Sequence, residues 1–286
     1  MQKRPLGRTG AELSVIGFGG IVVRDTAPAE AADLVARAID CGINYFDVAP
    51  GYGNAEECLG PALEPYRNRV FLACKTLKRT AHEAEIELQR SLQRLRTNHF
   101  DLYQFHGVSS AEEAEQILAP GGALEFFLAA RQQGLIRHIG FSAHSEAAAL
   151  RLLAAFPFDS MLLPVNLFCW RDGGFGPAAC QAARKADTGI LALKALCRRP
   201  LRRGEAKKWP KCWYVPLDTL PEAAAALAFT LAQPVTAAVC PSHAELLWLA
   251  CDALEALGKS LVADPLHCDI DGEPLFRTEN AVNTAQ

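Results

Sequence analysis

Four residues are placed to do chemistry: Asp47, Tyr52, Lys75 and His106. Asp47 falls at the end of the apolar run NYFDVA, and Tyr52 lies between two glycines in GYG just beyond it. Lys75 closes VFLACKT and His106 closes DLYQFH. A carboxylate beside an ammonium keeps it charged. An ammonium beside a phenol favours the phenolate, which lowers the tyrosine pKa. A phenol tuned in this way serves as a general acid. With an imidazole that hydrogen-bonds and orients a substrate oxygen, the set forms a donor group for a carbonyl oxygen gaining negative charge. No Ser or Cys arrangement supplies a nucleophile, so the attacking species is expected from a cofactor.

Each residue also has a plainer reading. A strand-end Asp is often a turn cap, a lone His a satisfied structural residue, and a terminal Lys an arm reaching solvent. A buried Lys without a partner is costly, however, and the four together are hard to explain as filler. Schiff-base chemistry through Lys75 or Lys194 is the non-redox alternative. Against it, Asp47 holds Lys75 protonated and so non-nucleophilic.

The elements that would carry these groups follow one pattern. Short runs rich in Val, Ile, Leu, Phe and Tyr cover 14–19, 44–49, 70–76, 101–106, 138–143, 160–166, 189–195 and 235–241, each followed by a longer helical pattern. Most are apolar on both faces, as strands covered by helices are. Eight such units predict a (β/α)8 TIM barrel, with an open doubly wound α/β sheet as the rival. In a barrel, active-site groups sit at the C-terminal ends of the strands. The four residues lie at the ends of the second, third and fourth runs. Before them, RPLGRTGAELS reads as a hairpin closing the bottom. Residues 1–286 form one domain, with 258–286 mostly irregular.

Half of the 286 residues are apolar and 21% are charged, an ordinary globular balance, and the net charge of −3 disfavours nucleic acid and membrane surfaces as partners. The ten cysteines are scattered without a CxxC, so reduced thiols are expected rather than disulfides or a metal site. The opening MQKRPLGRTG lacks an apolar core of a signal peptide. The expectation is a cytoplasmic monomer acting on a small molecule.

The stretch DVAPGYGNAEECLG resembles the aldo-keto reductase superfamily signature at Asp47, Ala49, Tyr52, Gly53, Glu56, Leu59 and Gly60. Lys75 and His106 follow at family-like intervals. The likeness runs from LGRTGAELSVIGFGG through IGFSAHS and LPVNLF to the last strand. It implies an NADPH-dependent reductase of an aldehyde or ketone, with NADH as the alternative, in which the nicotinamide supplies hydride and Tyr52 the proton. By the resemblance, Gly20, Ile21 and Asp47 border the nicotinamide, while Ser142 and Asn166 hold its carboxamide. Leu193 stands where many relatives stack an aromatic, and Lys194 reaches a cofactor phosphate or simply solvent.

By the same resemblance, Pro241 and Ser242 remain from the loop that grips the adenosine 2′-phosphate, Ala244 and Asp252 stand at its usual Arg and Asn, and His243 with the start of the last helix offers an anion site in their place. Seven Lys or Arg between Arg198 and Lys211 read as a solvated loop, or as a basic flap anchored by Trp209, Trp213 and Tyr214 over the cofactor phosphates. Phe168, Trp170, Val22 and Val23 are the expected substrate wall. A cofactor-binding sensor with little turnover is the alternative to an enzyme.

Overall fold

A computed structural model of the chain describes residues 1–259 and 270–278. Strands β1 (Lys3–Pro5) and β2 (Glu12–Ser14) form an antiparallel hairpin. There follow β3 (Ile16–Gly19), α1 (Pro28–Asp40), β4 (Tyr45–Asp47), α2 (Ala55–Leu63), β5 (Phe71–Thr76) and α3 (Ala81–Arg94). Next come β6 (Phe100–Val108), α4 (Ala111–Leu118), α5 (Ala123–Gln132), β7 (Ile136–Ala143), α6 (Glu146–Ala155), β8 (Ser160–Pro164), α7 (Leu167–Arg171) and α8 (Pro177–Lys185). The chain continues with β9 (Gly189–Leu193), β10 (Cys197–Pro200), β11 (Tyr214–Pro216), α9 (Leu220–Ala232), β12 (Ala237–Val239) and α10 (Ala244–Lys259).

Strands β3 to β9 pair in order, and β12 closes the ring by pairing in parallel with both β9 and β3. That closure excludes the open sheet. Each of the eight expected runs holds a barrel strand, with ends that differ by a few residues; 235–241 shrinks to Ala237–Val239, and β6 runs on to Val108. Both faces of these strands are covered. All six residues of β5 are buried, for example, which suits a parallel sheet wrapped in helices. Helix starts use side-chain caps: Thr80 for α3, Ser110 for α4, Ser145 for α6 and Asn166 for α7.

The core has two layers. Between barrel and helices lies the larger cluster, in which Phe105, Phe127, Phe141 and Phe158 take part. Inside the barrel a smaller cluster stacks Tyr45, Phe71, Leu102, Leu162 and Leu191. Leu6 and Leu13 from the N-terminal hairpin belong to this inner cluster and are fully buried, so the hairpin plugs the bottom as expected. Each such side chain taken from water contributes roughly 1.5–3 kcal/mol.

The basic stretch after β9 differs from the expected loop. It contains the antiparallel pair β10 and β11, with Pro200 opposite Tyr214. Strands of four and three residues, each ending in proline and joined with a register shift, give no period-2 signal. Helix α10 reaches Lys259, and Asp271–Thr278 has no regular structure; the rest of the expected irregular tail, with Cys268, lies outside the described residues. Among the described residues, no helix is long and apolar enough to cross a membrane.

The end of the signature motif has a structural purpose. Glu56 is fully buried on α2, takes the Sγ–H of Cys74 at 3.7 Å and pairs with Arg94 at 3.2 Å, tying α2 and α3 to β5 next to Lys75. At Gly60 a Cβ would stand 2.3 Å from the carbonyl oxygen of Arg94. Gly60→Ala is therefore expected to lower stability by about 1–3 kcal/mol through forced separation of α2 from α3. Denaturant unfolding measures it; an unchanged midpoint would show that the helices yield freely.

Candidate active site

The pleat of the strands decides which residues point inward, because side chains alternate faces. On β5 the inward series is Phe71, Ala73, Lys75, and on β6 it is Leu102, Gln104, His106. On β4 it is Tyr45, Asp47. Phe71, Ala73, Leu102 and Tyr45 all sit in the inner cluster. Asp47 and Lys75 thus each end an apolar inward row at the top of the barrel, and on β6 Gln104 and His106 follow Leu102. Lys75 stands opposite Gln104, whereas Asp47 stands opposite Ala73, one inward layer below. The flexible lysine stem covers that offset.

Lys75 and Asp47 form a direct ion pair with exposures of 1% and 2%. The other Asp47 oxygen accepts hydrogen bonds from the Tyr45 hydroxyl and Gln104 Nε2, both at 3.1 Å. The carboxylate is therefore fully engaged, as a buried charge must be. Lys75 Nζ also donates to the Tyr52 hydroxyl oxygen at 3.3 Å, which leaves the phenolic hydrogen free to be given elsewhere. The Tyr52 and His106 rings meet edge to face at 5.6 Å, and the His106 Nδ1 is buried without a partner. All four expected catalytic residues line one cavity of about 140 Å³ at the C-terminal mouth.

Burial alone would lower the Lys75 pKa, but Asp47 and then Tyr52 outweigh it and hold the ammonium above its ordinary value. His106 is pushed well below the usual range by burial, then by Lys75 and His144, so its imidazole is neutral near pH 7. For Tyr52 the direction corrects the sequence expectation. Burial raises its pKa more than the Lys75 charge lowers it, and the nearby Asp47 adds to the rise. The ring keeps some exposure, while its hydroxyl end sits against Lys75.

Of the residues expected around a cofactor, Ile21, Asp47, Ser142, Leu193, Lys194 and Ser242 line the cavity. Gly20, Asn166 and His243 do not. Gly20 lies behind the wall, where a Cβ would stand 2.7 Å from Val48, so a glycine there lets the turn after β3 pack on the end of β4. Asn166 uses its Oδ1 to cap α7 through Cys169 N–H at 2.9 Å. His243 accepts the Lys211 N–H at 3.0 Å and packs against Trp209.

The expected substrate wall is corrected too. Phe168, Val22 and Val23 are core residues, and Trp170 packs on Phe229. Trp213 and Tyr214 take their place, brought to the mouth by the β10–β11 hairpin. That hairpin does cover the mouth, but with aromatics rather than cations. Arg198 pairs with Glu222, Arg199 with Glu205, Lys208 with Asp218, and Lys211 Nζ donates to the carbonyls of Val22 and Arg24.

Sequence reading missed Tyr45, Gln104 and His144. The period of two along β4, β6 and past β7 would have placed them inward. It also missed Cys240, whose Sγ accepts the Gly19 N–H at 3.1 Å; burial pushes this thiol up to about 12, so it is no nucleophile.

The Aldo/keto reductase family model matches residues 15–181, and this span carries Asp47, Tyr52, Lys75 and His106. The chain belongs to the aldo/keto reductase family. It is 33% identical over 187 residues to the aldo-keto reductase YhdN of Bacillus subtilis, a match to 59% of this chain and 55% of that one. It is 28% identical over 209 residues to the NADP(+) aldo-keto reductase yakc of Schizosaccharomyces pombe, a match to 66% of this chain and 58% of that one. The chain thus spans little more than half the length of these curated relatives. Among solved structures, the holo form of aldo-keto reductase AKR11C1 from Bacillus halodurans superposes with a TM-score of 0.71 at 25% identity, covering 93% of this chain and 94% of that one.

The mouth of this aldo/keto reductase barrel holds polar atoms that no protein group meets, as a site for a polar ligand does. Among the described residues, His106 Nδ1 in the cavity wall is buried with no partner, as is Asn166 Nδ2 behind that wall. Ser142 Oγ accepts the Gly107 N–H at 2.7 Å, which leaves its own O–H to donate. Buried groups of this kind are held in reserve for a ligand or water.

Lys194 is the most expensive residue of the site. It is 8% exposed, has left-handed backbone at φ 59°, and meets no carboxylate among the described residues. Burial lowers its pKa from 10.5 to about 8, with Cys197 and Cys169 opposing and Lys75 adding to the fall. The folded state then carries a charging penalty on the order of 3 kcal/mol. That penalty is complete below about pH 8, where folded and unfolded chains are both charged, and fades as pH rises toward 10.5.

Proposed function

We propose that the protein is an NAD(P)H-dependent oxidoreductase that reduces an aldehyde or ketone to an alcohol. The reading rests on one observation: the Tyr52 hydroxyl is held by the Lys75 ammonium in a cavity that also presents a neutral His106. When bound, the nicotinamide supplies the hydride that the carbonyl carbon receives. Ile21, Ser142, Leu193 and Ser242 border the space for it, and Asn166 Nδ2 is an unmet donor nearby in sequence to the strand β8 end. NADPH is favoured over NADH by the likeness to a relative whose name carries NADP(+).

The chain's own residues manage the proton. The raised pKa keeps Tyr52 in its acid form near neutrality, so the proton is there to give. His106 and Tyr52 converge on the substrate oxygen and stabilise the charge that develops on it. As the O–H bond of Tyr52 breaks and the alcohol O–H forms, negative charge appears on the phenol oxygen beside Lys75. Asp47 keeps that ammonium charged throughout.

Titration with NADPH and with NADH, followed by tryptophan fluorescence, tests the cofactor. Micromolar or tighter NADPH binding, on the order of −8 kcal/mol, is expected. Binding of neither nucleotide sinks the reading; binding without reduction of any carbonyl leaves a sensor on the same barrel.

A further inference from the structure

Lys75 and Lys194 share the cavity but differ in how their charge is met. Lys75 is cancelled by Asp47. Lys194 is surrounded by neutral groups: its Nζ lies 3.1 Å from His144 Nε2, 5.1 Å from the Trp213 ring centre and 5.3 Å from that of Phe276. The His144 ring is in turn stacked on Phe276 at 5.0 Å, which fixes its orientation. Aromatic faces and an imidazole lone pair hold a cation in place without neutralising it. The left-handed backbone at Lys194 turns its side chain into this cage at the end of β9. Asp25, Arg96 and Asp187 share the left-handed backbone, but Lys194 combines it with a buried charge that no carboxylate among the described residues meets.

The proton-transfer chemistry makes no use of this charge, since Tyr52, Lys75, Asp47 and His106 complete it. The one carboxylate in the cavity wall, Asp47, is taken by Lys75, so no anion there is left for Lys194. Lys194 lines the same cavity as Tyr52, Lys75 and His106, the groups that handle the proton. The pyrophosphate of a dinucleotide is a ribose away from its reacting ring.

We propose that Lys194, held by His144 and Trp213, anchors a carboxylate on the substrate, so that the preferred substrates are short carbonyl compounds bearing a carboxylate. The inference rests on the carbonyl-reductase reading and names the class of compound it acts on. Nζ donates one hydrogen to His144 Nε2 and keeps two for the carboxylate, forming charge-assisted bonds in a site of low dielectric.

The test compares 4-oxobutanoate with its methyl ester, and 4-carboxybenzaldehyde with its methyl ester, as substrates of wild type and Lys194→Met. Wild type is expected to favour each acid over its ester by at least about tenfold in kcat/KM, chiefly through KM, and the variant to lose that preference. The NADPH dissociation constant, measured separately, should shift by less than about threefold. No acid preference in wild type overturns the proposal. So does a variant that keeps the preference but binds NADPH far more weakly, because the cation then serves a cofactor phosphate. Borohydride trapping of an aldehyde on Lys194 overturns it as well, since it identifies a nucleophile.

A direct binding arm separates this proposal from the reductase reading. Benzoate should quench or shift tryptophan emission in wild type and bind at least about tenfold more weakly to Lys194→Met. If no carbonyl is reduced yet benzoate binds through Lys194, the anchor stands and the reductase reading falls. If benzoate binds both proteins equally, the anchor falls.

Discussion

Tyr52→Phe is expected to lower the turnover of any carbonyl substrate by roughly two to four orders of magnitude, the usual weight of a positioned general acid. Cofactor affinity and folding stability should scarcely change. The substitution removes one oxygen from a ring that keeps its edge contact with His106, and Lys75 retains Asp47 as its main partner. Because Lys75 donates to the tyrosine oxygen, the only hydrogen lost is the one aimed at the substrate. Steady-state kinetics beside a fluorescence titration of NADPH separates the two effects. Turnover near wild type in this variant would mean that another group delivers the proton.

The second large effect concerns folding and catalysis together. Lys75→Met leaves the Asp47 carboxylate in the barrel at 2% exposure with only the Tyr45 hydroxyl and the Gln104 amide for company. Removing one partner of a buried pair costs about 3–5 kcal/mol, because the charge left behind has no counterion. Turnover should also collapse, since the cation hydrogen-bonded to the Tyr52 oxygen, which would stabilise the phenolate, is gone. In the double variant Lys75→Met/Asp47→Leu most of the stability should return, while activity should not. Urea unfolding of the single and double variants checks this. A single variant that loses less than about 1 kcal/mol would show that water reaches the pair.

This contrast explains why the barrel tolerates two buried lysines so differently. Lys75 is matched by a carboxylate one inward layer below, and the pair is part of the fold. Lys194 has no such match among the described residues, and its charge is a standing cost. Residues that lower stability in this way are those that function retains.

Much was legible in the chain before any coordinates. Asp47, Tyr52, Lys75 and His106 were visible because polar groups ending apolar strands are rare without a purpose, and all four do meet at one cavity. The eight strands were visible because burial on both faces leaves a nearly unbroken apolar run. The β10–β11 hairpin was not, since its strands are short, end in proline and lie outside the barrel. Phe168 and Trp170 misled because an aromatic side chain suits a core and a ligand wall equally, and only packing tells which.

The amino-acid order alone pointed to eight strands, a hairpin at the bottom and the polar residues at the top, because strands covered on both faces leave apolar runs, a glycine turn marks the hairpin, and polar groups at the ends of those runs stand out. Tertiary structure decided the rest. It set the direction of the Tyr52 pKa, as burial depends on what distant segments cover. It brought Trp213 from the outer hairpin and Phe276 from the far end of the chain onto Lys194. A cage built from segments so far apart in sequence has no local pattern to read, because its energy comes from contacts made only after the barrel has closed.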